Sequence, residues 1–152
     1  MKAAAMRRMQ ITITVLTADA VARVTDAGAQ IVIAPNTEPA VIAATKKAGL
    51  LSLPGFYSPS EAFRAIDAGA DGLKLFPAEA AGSRVLKAIK AVLPADMPVF
   101  PVGGITAQSM PAWREAGAAG FGVGGALYTP GLSAEVVAER ALTFVQAWRD
   151  GS

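Results

Sequence analysis

Short apolar runs alternate with longer amphipathic stretches along the whole chain. Runs rich in leucine and β-branched residues fall at residues 11–15, 31–34, 50–53, 72–75, 99–102 and 120–123. Their length and bounding turn residues read as strands covered on both faces rather than as helices. Between them, apolar positions recur at helical spacing over about 18–27, 39–48, 59–68, 83–93, 107–116 and 133–148. Thr17, Thr37, Ser58 and Thr106 stand where N-caps are expected. Four helical stretches close alike, on Asp26-Ala27-Gly28-Ala29, Lys47-Ala48-Gly49-Leu50, Asp67-Ala68-Gly69-Ala70 and Glu115-Ala116-Gly117-Ala118. In each, the glycine is placed to take the left-handed conformation that ends a helix before the next strand. The pattern predicts an α/β fold of six consecutive parallel βα units with no linker between them.

Six units form either an open doubly wound sheet or most of an eight-unit barrel. A dinucleotide-binding open sheet carries a glycine-rich turn after its first strand, whereas Leu16-Thr17-Ala18-Asp19 stands there in this chain. Glycine pairs come late instead, Gly103-Gly104 after the fifth apolar run and Gly124-Gly125 after the sixth. With two units absent at the front, these loops become the seventh and eighth, the usual phosphate site of a barrel. The expected fold is therefore a partial TIM (β/α)8 barrel, with open sheet edges at 11–15 and 120–123.

Composition narrows the chemistry. The 152 residues suffice for one domain, and 53% hydrophobic against 17% charged residues suits a sheet wrapped in helices. Lys and Arg total 14 against 12 Asp and Glu, and their scatter along the chain argues against nucleic-acid binding. The chain has no cysteine, which removes disulfides, zinc–thiolate sites and thiol nucleophiles. It has no histidine either, so any general base must be a carboxylate, an amine, a phenol or water. Arg7-Arg8 is a weak echo of a twin-arginine export signal, but Gln10, Thr12, Thr14 and Thr17 interrupt the apolar stretch that should follow. No run approaches the ~18 apolar residues of a membrane span, and a cytoplasmic protein is expected.

Lys74 is the most informative residue, standing inside the apolar segment Asp71-Gly72-Leu73-Lys74-Leu75-Phe76-Pro77. A lone lysine in such a segment is more often an edge residue reaching water. Its place near the end of a strand, just before the loop over 76–82, instead puts it on the reactive face of a parallel barrel. Burial there would lower its pKa and leave an amine able to attack a carbonyl. Pro54-Gly55-Phe56 and Phe76-Pro77 end the flanking strands and offer apolar walls. Glu79 is the nearest carboxylate in sequence, expected to be solvated on its loop rather than to carry proton transfers. One glycine pair alone reads as a tight turn, but two pairs in consecutive units favour backbone N–H groups gathered round a phosphate. Trp113, Phe144 and Trp148 lie at amphipathic spacing and are expected to be core or subunit contacts.

Taken in order, Thr14-Val15, Ala34-Pro35-Asn36, Leu53-Pro54-Gly55, Leu73-Lys74-Leu75-Phe76-Pro77-Ala78-Glu79, Pro101-Val102-Gly103-Gly104-Ile105 and Gly122-Val123-Gly124-Gly125-Ala126-Leu127-Tyr128 resemble the KDPG/KHG aldolase family. Pro35-Asn36 and Leu127-Tyr128 suit its 2-dehydro-3-deoxy-6-phosphogalactonate branch better than the phosphogluconate branch. The resemblance runs from Thr14 onward, which makes 14–152 the expected aldolase domain and 1–13 an amino-terminal segment outside it. It implies that Lys74 is the Schiff-base lysine of a class I aldolase that releases pyruvate and glyceraldehyde 3-phosphate, with no metal or organic cofactor. It also implies Thr14 near the pyruvate carboxylate, Pro54 and Phe76 beside the substrate, and Gly103, Gly104, Gly124 and Gly125 at its phosphate. A homotrimer is implied as well. The family begins with two further βα units that carry an arginine and an acid/base glutamate, for which this sequence has no counterpart. Its first matched strand usually reads Gly-Ala-Gly-Thr-Val, against Ile11-Thr12-Ile13-Thr14-Val15 in this chain. Weak turnover is therefore expected, the alternatives being the phosphogluconate epimer as substrate or a non-catalytic phosphate-binding remnant.

Overall fold

The structure, a computed structural model, describes residues 11–150, so most of the 1–13 segment lies outside the described residues. Strands and helices alternate as β1 (Ile11–Ile13), α1 (Ala18–Asp26), β2 (Ile31–Ile33), α2 (Pro39–Lys47), β3 (Leu51–Leu53), β4 (Gly55–Phe56), α3 (Pro59–Asp67), β5 (Leu73–Leu75), α4 (Ala78–Ala81), α5 (Ser83–Lys90), β6 (Val99–Pro101), α6 (Met110–Glu115) and α7 (Ala134–Arg149). Every strand pairing is parallel, in the orders β1-β2-β3 and β4-β5-β6. This is an α/β fold with parallel strands, and every strand delivers its carboxyl end to the same side.

Pro54 joins the two sheets. The Leu53 carbonyl accepts from Ala34 N at 3.2 Å on the β2 side, while the Pro54 carbonyl accepts from Lys74 N at 2.9 Å on the β5 side. Residues 51–56 thus act as one strand handed from the first sheet to the second. The sequence pattern ended this strand at Pro54, because proline cannot donate to a ladder; the β5 side needs only its carbonyl. The strand expected over 120–123 is reduced to one parallel bridge, Val102 to Gly122. Gly120 and Gly122 have no side chains to pack on a pleat, and Phe100 and Val102 press into the space instead.

All four expected glycine ends take positive φ, 86° at Gly28, 74° at Gly49, 95° at Gly69 and 96° at Gly117. Each makes the paired bonds of a Schellman motif, as where Ala29 N donates to Val24 O at 3.0 Å and Gly28 N to Thr25 O at 2.9 Å. Thr17 caps α1 and Ser58 caps α3, the latter in a capping box with Glu61. Thr37 does not cap α2. Its hydroxyl donates to Gly55 O at 2.7 Å, and Glu38 takes the cap position, accepting from Ala40 N at 3.3 Å. Thr106 does not open α6 either, since it exchanges bonds of 3.1 and 3.2 Å with Ser109 to close a turn and the helix starts only at Met110. Residues 78–81, read as loop, form the short helix α4.

The larger core joins β4–β6 to α3, α5 and α6 through Leu73, Leu75, Leu86, Val99 and Trp113. A smaller one packs Val21 and Val41 of α1 and α2 on Val32. Phe144 and Trp148 of α7 lie against the larger core, with Trp148 edge-on to Phe121 at 5.7 Å and under the Arg114 guanidinium at 4.7 Å. These aromatics are core contacts, as their spacing suggested. Away from the carboxyl rim, Asp71 accepts from Lys46 Nζ at 2.6 Å and from Ser52 N at 2.8 Å, tying α2 and β3 to the turn that enters β5. No helix among the described residues is long and apolar enough to cross a membrane.

Candidate active site

Lys74 is the middle residue of β5, paired in register with Gly55 on one side and Phe100 on the other. It is only 7% exposed. Among the described residues it has no carboxylate partner; its Nζ lies 4.5 Å from the centroid of the Phe76 ring. Desolvation by burial pushes the amine below its ordinary pKa. A ring face attracts the ammonium by about 0.5–2 kcal/mol, which is less than a paired carboxylate would give back to the charged form.

Backbone bonds carry the chain from this lysine to the glycine loops. The Leu75 carbonyl accepts from Val102 N at 3.0 Å, and Ala78 N donates to Val102 O at 2.9 Å, so the segment after Lys74 is fastened to the one entering Gly103. Gly122 N then donates to Pro101 O at 3.1 Å, which sets the second glycine loop beside the first. The result is a cavity of about 330 Å³ lined by Phe76, Gly103, Gly104, Gly124 and Gly125. A Cβ added at Gly124 or Gly125 would meet nothing within 4 Å, so both present bare backbone to open space.

The structure thus gathers Phe76 and all four glycines round one cavity at the carboxyl rim, while Lys74 does not line it and meets it only through the Phe76 ring. Phe76 is the shared wall, touching the amine and lining the cavity. Pro54 is fully buried and serves by its backbone, holding Lys74 through its carbonyl. Thr14 is exposed at the carboxyl end of β1, its N–H on Ile33 O at 2.9 Å, and does not line the cavity. Its φ of 67° is rare for a β-branched residue and costs about 1–3 kcal/mol. Glu79 is exposed, as expected, yet its carboxylate packs on Gly103 and Gly104, which local sequence does not reveal. Sequence reasoning also missed how closely the segment after β2 approaches Gly55, where an added Cβ would overlap the Pro35 carbonyl and lie 2.8 Å from Asn36 N. The only local signal was glycine directly after a mid-strand proline. No cluster of three or more metal-ligating side chains occurs among the described residues. A second cavity, of about 350 Å³ beside Phe121, Phe144 and Trp148, holds no titratable group and offers no comparable chemistry. A buried amine on a ring that also walls a glycine-lined cavity sets a group able to attack a carbonyl close to open backbone.

A family model described as KDPG and KHG aldolase matches residues 4–142. The 2-dehydro-3-deoxy-6-phosphogalactonate aldolase of Escherichia coli (strain K12) is 44% identical over 132 residues, covering 87% of this chain. The match spans 63% of the length of that relative. A solved structure of native KDPGal superposes with a TM-score of 0.90 at 42% identity, over 91% of this chain and 68% of that one. A KDPG aldolase from Legionella pneumophila, solved with pyruvate captured at low pH as a covalent carbinolamine intermediate, is 25% identical with a TM-score of 0.65, over 92% of this chain and 67% of that one. The chain belongs to the KDPG and KHG aldolase family.

Proposed function

We propose that the chain provides the lysine and phosphate side of a class I aldolase acting on 2-dehydro-3-deoxy-6-phosphogalactonate, on a partial (β/α)8 barrel that includes β1 and so begins before the expected boundary at residue 14. The observation that carries this is the buried Lys74, which has no ion pair among the described residues and lies on Phe76, a residue that also lines the four-glycine cavity. Lys74 Nζ attacks the C2 carbonyl to give a carbinolamine, which loses water to form an iminium. The C3–C4 bond then breaks as the C4 hydroxyl gives up its proton; glyceraldehyde 3-phosphate leaves, and the bonding electrons pass to the iminium nitrogen as an enamine. Protonation at C3 and hydrolysis release pyruvate and restore the amine. The Legionella carbinolamine supports the covalent step, and the Escherichia coli relative supports the galactonate-type substrate.

The proposal gives the C4 proton to no described residue, so trapping should exceed turnover; general acid/base assistance is typically worth about 10²–10⁴-fold. Borohydride with pyruvate should label Lys74 in the chain and leave Lys74→Met unlabelled, while Gly124→Ala should keep the label and weaken phosphate binding. Labelling of another lysine, or none, would refute the assignment. Phosphate binding without any labelling would favour a non-catalytic phosphate-binding remnant. A cytoplasmic homotrimer belongs to the same reading, supported by apolar side chains left exposed at Leu51, Leu142 and Val145.

A further inference from the structure

The proposed function leaves Glu79 without a task, although its carboxylate lies on the loop assigned to the substrate's phosphate. A Cβ added to Gly104 would meet Glu79 Oε2 at 2.5 Å and Glu79 Cβ at 2.6 Å, and one added to Gly103 would meet Oε2 at 3.5 Å. Only glycine fits beneath this side chain. The backbone on either side is fixed, with Ala78 N on Val102 O and Gly82 N on Ala78 O, both at 2.9 Å. Among the described residues Glu79 forms no ion pair, and Lys74, the cation of the site, is turned onto the Phe76 ring. A negative charge therefore stands uncompensated where an anion is to bind.

We propose that Glu79 is a specificity-determining residue, a fixed charge that loosens the hold of the Gly103-Gly104 loop on phosphate groups. This rests on the phosphate reading of the glycine loops and deepens it. A unit charge ~6 Å from a phosphate at an effective dielectric near ~40 weakens binding by about tenfold for each negative charge the phosphate carries, and exposure and salt reduce the total to about three- to tenfold. The repulsion grows with ligand charge, so the loop takes a single phosphate ester and discriminates against more highly charged anions. It acts on phosphate in substrate and product alike, which raises KM and speeds release of the phosphorylated product.

Glu79→Gln keeps the shape over Gly104 and removes the charge. Titrating inorganic phosphate into the full chain and this variant, followed by 31P NMR, should give about three- to tenfold tighter binding in Glu79→Gln at low salt. The gain should shrink at about 0.5 M salt, and Glu79→Asp should restore weak binding. Pyrophosphate should gain more than phosphate. Equal phosphate affinities in the two chains, or a gain unchanged by salt, would overturn the role of Glu79 while leaving the phosphate loops standing. Phosphate binding by neither chain would overturn the reading of the loops and this proposal with it.

Discussion

Replacing Lys74 with methionine should stabilise the fold at neutral pH, and the gain should vanish in alkali. The side chain is 7% exposed and its amine has no carboxylate partner among the described residues, so burial holds its pKa below the ordinary lysine value. In the unfolded chain the amine titrates near ~10.4. Between the folded and unfolded pKa values the unfolded state binds more protons, so stability rises with pH across that window. Below the folded pKa the penalty is complete and constant. Each unit of depression corresponds to about 1.4 kcal/mol, and for a chain of this size 1 kcal/mol moves Tm by roughly 2–4 °C. Methionine fills similar volume with no charge, so Lys74→Met removes the penalty and keeps the packing. Thermal unfolding of both chains, followed by circular dichroism at a series of pH values, isolates the effect, because all other titrations cancel in the difference. The variant should melt higher at neutral pH, and the two curves should converge as pH approaches ~10.4. A less stable variant at neutral pH, or a difference that does not narrow, would refute the burial of an uncompensated amine.

Two further outcomes test the frame around the site. Gly55→Ala should cost more than ~3 kcal/mol in urea titration because the new Cβ overlaps the Pro35 carbonyl, whereas Gly125→Ala faces open space and should stay within about 0.5 kcal/mol; equal tolerance would disprove the close approach of Pro35 and Asn36 to Gly55. The Ser58 hydroxyl, with help from the Tyr57 and Ser58 amides, holds the Glu61 carboxyl below its usual range, so its contribution is present above ~4.3 and lost as pH falls through the lowered folded value. Glu61→Gln should therefore lower stability near neutrality and flatten the acid limb of the stability curve, and an unchanged acid limb would show that the capping box contributes nothing there.

What the sequence made legible was local. Helix ends at Gly28, Gly49, Gly69 and Gly117 depend on one residue's freedom to take positive φ, and all four formed as read. Thr17 and Ser58 cap helices with nothing competing for their side chains. Thr37 failed as a cap because a distant acceptor, Gly55 O, captured its hydroxyl, and neighbouring residues carry no sign of that. The strand through Pro54 was cut short for a similar reason: proline lacks a donor, but the partner strand required only an acceptor. The lysine and the glycine loops were legible because apolar context and paired glycines are local signals. The packing of Glu79 on Gly104 was not, since 25 residues separate them along the chain.

The two faces of β5 explain how one strand hosts both a core and a reactive amine. Side chains alternate across a strand, so Leu73 and Leu75 share one face and Lys74 takes the other. Leu73 and Leu75 join the apolar core under the helices, and Lys74 does not. Its register neighbours on its own face are Gly55 and Phe100, one with no side chain and one with a half-buried ring. Glycine on that side admits the Pro35 carbonyl and the Asn36 amide over the strand. The amine is therefore desolvated by backbone and ring rather than by an aliphatic core. It lies on the Phe76 ring, which is also a wall of the cavity at the carboxyl rim. Gly55→Ala would close this arrangement from the back even if the fold absorbed the clash, so its effect on Lys74 trapping should exceed its effect on phosphate binding at the loops.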